Sequence, residues 1–567
     1  MPSDTPDVLR TMSDRYDVIV LGAGAGGMTA AASAAALGLR VLLLEKTPLV
    51  GGTTAISGGM VWAPANDKSA SVGWPDTLEA ARLYLAATVS GEHNAAVRDS
   101  FLRHAARAMA WLEAQGILHL QPVALYPDYY PTLPGAALGG RVLEPVSFDA
   151  RSLGPDFALL HPPLPEFTAF GGMMVPRADL VHFRNIGRSW RSTLRVAALL
   201  SRHASQRLSH PRGTSLVLGN ALAAHLLLAL RRLRVELHVA HTAERLLLEG
   251  DRVCGVVVAG RALRASRGVV LATGGFSHSQ EWRREVLPRG AGQLSAAHPD
   301  NTADGFALAT AAGALVERRG EGGAFWAPVS RFTRHDGTVA LFPHTVTDRG
   351  KPGAIAVNGR ARRFVNESLS YHEFVRAMLR DGNPPVHLIV DAHFVWLYGL
   401  GAIRPFTLSL RDWQRIGYLT EAADIRGLAQ ALHLDAAQLA DTVERFNRFA
   451  RVGTDPDFHR GEDAYQRYLG DPQHAPNPCL RPLERSPFYA ITLYPADLGT
   501  SAGLATDASA RVLDTDGVSI PGLYACGNDM NSVMNGAYPG PGITLGPALT
   551  FGFLAAESLA ERTAPKD

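Results

Sequence analysis

Tyr538 and Gly542 stand four residues apart in NGAYPGPGITLGPALTFGF, residues 535–553, on a loop that Pro539 and Pro541 stiffen. A phenol O–H and a glycine N–H held at fixed separation are two hydrogen-bond donors. Fixed donors aimed at one oxygen stabilise negative charge that develops there. Such a pair suits proton removal next to a carbonyl, where the oxygen becomes an enolate. Two other places carry phenols: Tyr126, Tyr129 and Tyr130 in YPDYYP, and Tyr371, followed by His372, in NESLSYHEF. A free tyrosine, with a pKa of about 10, works as a base only with help from a second hydroxyl or a nearby positive field. A tyrosine in a proline-rich loop is as often an amphipathic plug with a wet hydroxyl, so the YPDYYP phenols carry both readings. His372 reads as a packing or hydrogen-bonding residue rather than as the base.

The loops that would hold a cofactor beside these phenols are spread along the chain. Tyr16–Leu21, YDVIVL, reads as a buried parallel strand. It runs into Gly22-Ala23-Gly24-Ala25-Gly26-Gly27 and the helix former MTAAASAAALG, which stops at Gly38; RVLLLEK follows as a second strand and reaches Glu45. Strand, GxGxxG turn, helix, strand and terminal acid in this order make a dinucleotide fold. Gly22 permits the tight turn, Gly24 lets backbone approach a pyrophosphate, and Gly27 lets the helix lie close to the strand. Glu45 suits ribose hydroxyls, and an acid there disfavours the 2′-phosphate of NADP. A second glycine-rich loop, Gly51-Gly52-Thr53-Thr54-Ala55-Ile56-Ser57-Gly58-Gly59, has no use in an NAD domain. An isoalloxazine lying flat against backbone does need one. RGVVLATGGFS (267–277) and IPGLYACGND (520–529) add a strand ending in Ala272-Thr273-Gly274 and another ending at Gly527-Asn528. The four loops together indicate FAD. A helix expected from Pro547 would aim its N-terminal dipole at the flavin pyrimidine end, with Gly546 permitting close contact.

The totals agree with an ordinary globular protein. At 567 residues the chain exceeds one simple core, and its 46% hydrophobic and 19% charged content is unexceptional. With 55 Lys+Arg against 53 Asp+Glu, the charge gives no reason to expect a nucleic-acid partner. Cys254, Cys479 and Cys526 are scattered, form no CxxC pair, and read as reduced, buried thiols of a cytoplasmic protein. No metal is expected. MPSDTPDVLRTMSDRYD lacks the apolar stretch of a Sec-type signal, and no run is long enough to span a membrane.

These segments resemble the flavoprotein subunits of fumarate reductase and succinate dehydrogenase and their relatives. Within that family they look most like the 3-ketosteroid Δ1-dehydrogenases, through TTAISGGMVWAPAN (53–66), YPDYYPTLPG (126–135), HPDNTADGFALATAAGA (298–314), GRARRFVNESLSYHEFVRAM (359–378) and the opening stretch. The resemblance implies an α/β fold: a Rossmann-type FAD-binding domain, assembled from 1–115, 215–310 and 490–567, with an inserted α+β catalytic domain at 311–489 and a capping excursion at 116–214. It implies FAD contacts from Gly22, Gly24, Ala25, Gly26, Gly27, Glu45 and Lys46, and from Gly52, Thr53, Thr54, Ser57, Gly58 and Gly59. Ala272, Thr273, Gly274, Asp304, Gly527, Asn528 and Leu545 complete that set. No histidine opens the SGG loop, so the FAD is expected to be noncovalent.

By the same resemblance Tyr538 and Gly542 bind the C3 ketone of a steroid, Tyr371 removes the C2 proton, and Tyr129 supports Tyr371, with Tyr126 and Tyr130 as competitors for that last role. Flavin N5 takes the C1 hydride. No second nucleotide fingerprint is visible, so reoxidation falls to a quinone or other acceptor. One alternative is a fumarate reductase-like enzyme gripping a dicarboxylate through Arg363 and His372; a phenol-rich site suits a neutral ketone better than a dianion. Others are a desaturase of a non-steroidal cyclic ketone and a flavin-bearing scaffold without turnover, which the phenols disfavour.

One stretch lies off this pattern. Residues 183–212 carry Arg184, Arg188, Arg191, Arg195, Arg202, Arg207 and Arg212 and no acid, and 216–233 follows as an apolar helix with a basic end. The basic segment reads either as a solvated helix face or as a cap in weak contact with a membrane surface.

Overall fold

Five parallel strands carry the first sheet, in the order Ser519–Ala525, Arg261–Leu271, Arg15–Leu21, Val41–Leu44 and Glu236–His238. The structure, a computed structural model, describes residues 13–561 except 188, 347 and 383, together with all but the side chain of Arg184. The opening polar residues 1–12 and Arg188 therefore lie outside the described residues. Every side chain of Val18–Leu21 and Val41–Leu44 is buried, which explains their unbroken apolar runs. Arg252–Val258 and Ala243–Glu249 extend the sheet in antiparallel fashion, as does Arg511–Leu513 at the far edge.

The register of this sheet sets the cofactor loops in one row. Leu21 pairs with Leu44 and Leu271, and Leu271 pairs with Ala525. Gly22, Glu45, Ala272 and Cys526 therefore leave the same carboxyl edge side by side, where ligands of doubly wound sheets bind. Behind that edge the helix Ala25–Ala36 packs on the C-terminal helix Leu545–Glu561. A Cβ at Gly552 would lie 2.6 Å from the Gly26 carbonyl oxygen, so the small residues allow this close crossing. The C-terminal helix begins at Leu545, two residues ahead of expectation. The Gly542 carbonyl accepts the Gly546 N–H at 2.9 Å and starts the turn early, and Pro547 sits within that first turn, where its missing donor costs nothing.

A second, antiparallel sheet follows the order Val339–Pro343, Ala324–Thr333, Phe488–Thr500, Val386–Asp391, Ala354–Val357, with Thr420–Ala422 also paired to Phe488–Thr500. Phe488–Thr500 is one continuous strand of 13 residues. The boundary expected at 490 falls inside it, because backbone pairing with Val386–Asp391 and Ala324–Thr333 holds it to this sheet as far as Thr500. The helix Tyr371–Asp381 packs on this sheet and is capped by the Ser370 side chain, which accepts the Glu373 N–H.

The third unit is small. Leu120–Pro122 and Val142–Pro145 pair antiparallel, and the latter pairs with Val61–Trp62 beside the SGGM loop. The segment joining the first two of these strands carries YPDYYP. In the cap, helix Trp190–Arg207 buries Val196, His203 and Gln206 and leaves Trp190 and Leu194 exposed, while helix Leu218–Arg232 is largely buried. Among the described residues no helix is long and apolar enough to cross a membrane, and the three cysteines are free and buried.

Candidate active site

Three phenols from three remote segments meet at the junction of the sheets. The Tyr129 hydroxyl donates to the Tyr371 hydroxyl at 2.9 Å. The Tyr538 ring stacks on Tyr129 with centroids 5.6 Å apart and planes 15° from parallel, and meets Tyr371 edge-on at 5.1 Å. All three side chains are buried. Tyr130 points elsewhere, its hydroxyl donating to Glu373 Oε1 at 2.9 Å, whereas Tyr126 packs its ring on Tyr468 at 4.8 Å and keeps its phenol a polar neighbour of Tyr129.

Backbone contacts lock the two tyrosine loops together. The Pro539 carbonyl accepts the Tyr129 N–H at 2.9 Å and the Tyr84 hydroxyl at 2.5 Å. Beneath them Asp128 accepts the Trp62 indole N–H at 2.9 Å and pairs with Arg141 at 2.6 Å, and Arg141 also reaches Asp76 at 2.6 Å. A Cβ at Gly540 would fall 2.8 Å from the Trp62 indole nitrogen and 2.9 Å from Asp128 Oδ1, so the middle glycine of YPGPG is demanded by this buried network.

Gly542 has φ +88°, and a Cβ there would lie 2.5 Å from the Met60 carbonyl oxygen. Its own carbonyl accepts the Trp62 N–H at 3.1 Å, and its N–H forms no hydrogen bond among the described residues. A half-buried, unpaired N–H thus lies four residues from the Tyr538 phenol, the two donor types that the sequence offered.

Burial governs the charges. It raises Tyr129 and Tyr371 well above the ordinary phenol range; neighbouring phenols add to this, while the Tyr129 hydroxyl pulls Tyr371 back. Tyr538 is pushed up to about 12 by burial, restrained by its hydrogen bond with Tyr371. His372 is driven down to about 3, first by burial and then by Arg376. Its Nδ1 accepts the Trp326 N–H at 3.1 Å, and its ring centroid lies 5.6 Å from that of Tyr538. It is a neutral imidazole here.

The glycines divide by what surrounds them. Gly22, at φ +100°, would place a Cβ 2.3 Å from the Ala272 carbonyl oxygen, and a Cβ at Gly27 would fall 1.9 Å from that of Gly22; both are fixed by packing of the turn. A Cβ at Gly24 meets nothing closer than Thr54 Oγ1 at 3.9 Å, and at Gly52, Gly58 and Gly527 it meets nothing within 4 Å. The protein leaves open the side of the loops that faces outward from the sheet edge. No side chain caps the helix Ala25–Ala36 from Gly24; Thr54 takes the Ala25 N–H, and the Gly26 and Gly27 N–H groups that follow are available to an anion. The residues present fit a dinucleotide with a flat head group. A cavity lined by Phe325, Thr500, Gly527, Asn528, Thr544 and Pro547 continues from these loops, and Phe325 meets the Tyr538 ring edge-on at 5.4 Å. The cofactor edge and the phenols are thus one ring apart, and Leu545 starts its helix at the same point.

Other expected residues have specific partners. Glu45 accepts the Ala23 N–H at 2.8 Å and the Thr47 N–H at 2.9 Å, standing at the end of its strand. Lys46 pairs with Asp304 at 2.7 Å. Thr54 accepts the Ala25 N–H at 3.0 Å, Ser57 bridges Thr54 and Gly59, and Thr53 accepts the His298 N–H at 2.9 Å and the Asn301 side chain at 3.2 Å. Gly546 answers to packing as well: its Cβ would lie 2.1 Å from the Trp62 carbonyl oxygen, so the contact with Trp62 requires a glycine there. Arg363 is buried in pairs with Glu367 and Asp455, at 2.7 and 2.8 Å, and offers no free cation to a dicarboxylate. Asp529 was not anticipated. It accepts from Thr273 Oγ1 at 3.0 Å and the Gly275 N–H at 2.9 Å, knitting two cofactor loops together. Burial raises its carboxyl to about 6.

Known proteins share this arrangement of chain. The FAD binding domain family matches residues 17–545. A 3-oxosteroid 1-dehydrogenase of Mycolicibacterium smegmatis is 38% identical over 97% of this chain and 98% of its own. A 4-oxocyclohexanecarboxylate 2-dehydrogenase of Sinomonas cyclohexanicum is 37% identical over 98% of this chain and 95% of its own. The crystal structure of 3-ketosteroid delta1-dehydrogenase from Sterolibacterium denitrificans, in complex with 1,4-androstadiene-3,17-dione, superposes with a TM-score of 0.88 at 38% identity, covering 97% of this chain and all of that one.

Proposed function

The chain belongs to the FAD binding domain family, beside the 3-oxosteroid 1-dehydrogenases, and from that premise we propose that Tyr371, Tyr538 and Gly542 desaturate the ring next to a ketone. The protein is an FAD-dependent oxidoreductase with an α/β FAD-binding fold, and a 3-ketosteroid desaturated at C1–C2 is its reaction. The observation that carries the residue roles is the Tyr129–Tyr371 hydrogen bond beside Tyr538 and the unpaired Gly542 N–H.

The Tyr538 hydroxyl and the Gly542 N–H hold the ketone oxygen. Each such donor, matched to the enolate rather than to the ketone, is worth about 10²–10³ in rate. Tyr371 removes the C2 proton, and Tyr129 donates to the oxygen that would otherwise carry its charge alone. Burial excludes water from both steps. FAD, held by the four loops, supplies when bound the two-electron oxidant that accepts hydride from C1. Loss of one proton and one hydride leaves the C1–C2 double bond.

The FAD-binding pieces are assigned to 1–115, 215–310 and about 500–567, the catalytic insert to the residues between, and the cap to 116–214. A quinone or similar acceptor is the oxidant that closes the cycle. Reduced, buried cysteines fit a cytoplasmic setting. Exposed Phe170, Trp190 and Leu194 beside Arg191 and Arg202 fit weak contact with an anionic membrane surface, which flotation with anionic liposomes at low salt tests.

Anaerobic mixing of the holoenzyme with androst-4-ene-3,17-dione tests the reading. Bleaching of the flavin with appearance of the 1,4-diene is expected. A flavin that stays oxidised with this ketone, but is reoxidised by fumarate after chemical reduction, would move the protein to the dicarboxylate branch.

A further inference from the structure

Two hydrogen bonds, not one, join the segment of Tyr129 to that of Tyr371. Beside the Tyr129–Tyr371 contact, the next residue of the loop, Tyr130, donates its hydroxyl to Glu373 Oε1 at 2.9 Å, across 243 residues of sequence. The same carboxylate oxygen accepts Arg376 Nη1 at 2.8 Å, from the neighbouring position one helical turn on. Two donors on one oxygen fix the Glu373 carboxylate, whose side chain keeps 14% of its exposure. A single hydrogen bond lets two segments pivot about it. A second, from an adjacent residue, sets their angle as well as their distance.

The chain of contacts continues to the third phenol. Arg376 Nη2 pairs with Glu321 Oε2 at 2.6 Å, and Glu321 Oε1 accepts the Ser90 hydroxyl at 2.8 Å. The Glu321 N–H donates to the Asn535 carbonyl at 2.8 Å, three residues ahead of Tyr538, and the Asn535 side chain donates to the Ser90 carbonyl at 2.9 Å. A Cβ at Gly536 would lie 2.2 Å from the Glu321 carbonyl oxygen, so the two backbones touch there. Tyr130, Glu373, Arg376, Glu321 and Asn535 thus connect all three phenol-bearing segments. The Arg376 and Glu321 side chains keep 33% and 35% of their exposure. Ion pairs so exposed contribute little to stability, and what this network supplies is geometry.

We propose that Tyr130 and Glu373 are positioning residues of the desaturation: with Arg376 and Glu321 they set the separation of the Tyr129 and Tyr371 hydroxyls and the place of the Tyr538 loop beside them. The inference rests on the ring-ketone reading above and adds no step to it. Tyr129 eases charge on Tyr371 only while the two hydroxyls stay within hydrogen-bond distance. Misplacing a catalytic group by about 1 Å can cost about a hundredfold in rate, even when the change lies away from the chemistry.

The test is a double-mutant cycle on holoenzyme turning over androst-4-ene-3,17-dione, with Tyr130→Phe, Tyr129→Phe and the two combined. Rates are taken per bound flavin, so that partial unfolding does not enter them. Tyr130→Phe keeps the ring and is expected to lower kcat by about tenfold with KM little changed, as a small misplacement predicts. Its pH–rate profile should move to the alkaline side, as is expected of Tyr129→Phe. In the Tyr129→Phe background the hydrogen bond that Tyr130 positions is already gone, so the second substitution should cost about twofold or less. Glu373→Gln keeps an acceptor for Tyr130 and most of the rate, whereas Glu373→Ala falls as far as Tyr130→Phe. Losses that multiply in the double variant, or a slowed Tyr130→Phe enzyme with an unmoved profile, overturn the positioning role while wild-type turnover still upholds the ring-ketone reading. A wild type that does not turn over the ketone overturns both.

Discussion

The Tyr129 hydroxyl donates to the Tyr371 hydroxyl at 2.9 Å across a sequence separation of 242 residues. A phenol buried to this degree has lost the water that would stabilise its anion, and Tyr371 is raised well above the ordinary range for that reason. The Tyr129 hydrogen bond works against that rise. Tyr129→Phe removes the donor without changing the ring, so it is expected to lower kcat/KM by about ten- to a hundredfold, the worth of a hydrogen bond to a charged group. The alkaline shift of the pH–rate profile is the accompanying sign. An unchanged profile would leave Tyr129 as a packing residue.

Tyr538→Phe tests the other half of the site. Its ring contacts with Tyr129, Tyr371 and Phe325 survive the change, so the variant is expected to fold and to keep its flavin absorbance. Turnover should fall by about 10²–10³, with kcat affected more than KM, because the donor matters most where the oxygen bears charge. Turnover at the wild-type rate would remove Tyr538 from the ketone site.

Gly542 admits no side chain, for two separate reasons: φ +88° and a Met60 carbonyl oxygen 2.5 Å from the built Cβ. Gly542→Ala is therefore expected to move the loop, costing about 1–3 kcal/mol in backbone strain and displacing the N–H donor. Thermal unfolding and kcat should fall together, whereas Tyr538→Phe lowers kcat with little change in unfolding.

The pH dependence of stability carries a signature of His372. Its folded value of about 3 lies below the ordinary 6.5, so between these limits the native state binds fewer protons than the unfolded one. The stability this group contributes is complete above pH 6.5 and is lost as pH falls through the window. His372→Gln retains an acceptor for the Trp326 N–H and removes the titration. Denaturant midpoints at pH 7.5 and pH 5 should show the wild type losing more stability than the variant. Equal losses would mean that His372 does not charge on unfolding in this range.

Much of this was legible because it is local. The turn Gly22–Gly27, the acid at Glu45 and the loops at Ala272 and Gly527 each follow a short apolar strand, and backbone register then aligns them without further instruction. The YPGPG loop was likewise readable, since proline and glycine fix its geometry within five residues. What stayed hidden depends on distant partners. The resemblance favoured Tyr129 with Tyr126 and Tyr130 as competitors, and it takes the Tyr371 hydroxyl and Glu373, more than 200 residues away, to separate Tyr129 from Tyr130. Asp529 carried no signal in the sequence, because Thr273 and Gly275 come to it from another strand. At Gly546 the packing demand was hidden because the Trp62 carbonyl that crowds it lies far back in the chain.

Asp128 shows how such remote contacts reach the chemistry without touching it. It is 1% exposed, accepts from Trp62 and from the Ala137 N–H at 2.9 Å each, and shares Arg141 with Asp76. It adjoins Tyr129, and its carboxylate fixes the loop that presents that phenol. Removing one member of a buried ion pair leaves the other charge uncompensated, at about 3–5 kcal/mol. Asp128→Ala should approach that figure in unfolding free energy. Asp128→Asn keeps the shape and one acceptor, and Arg141 retains Asp76, so it should cost less. If the loop is what matters, Asp128→Asn also shifts the pH–rate profile in the same direction as Tyr129→Phe but by a smaller amount. A stability loss with an unmoved profile would confine Asp128 to holding the fold.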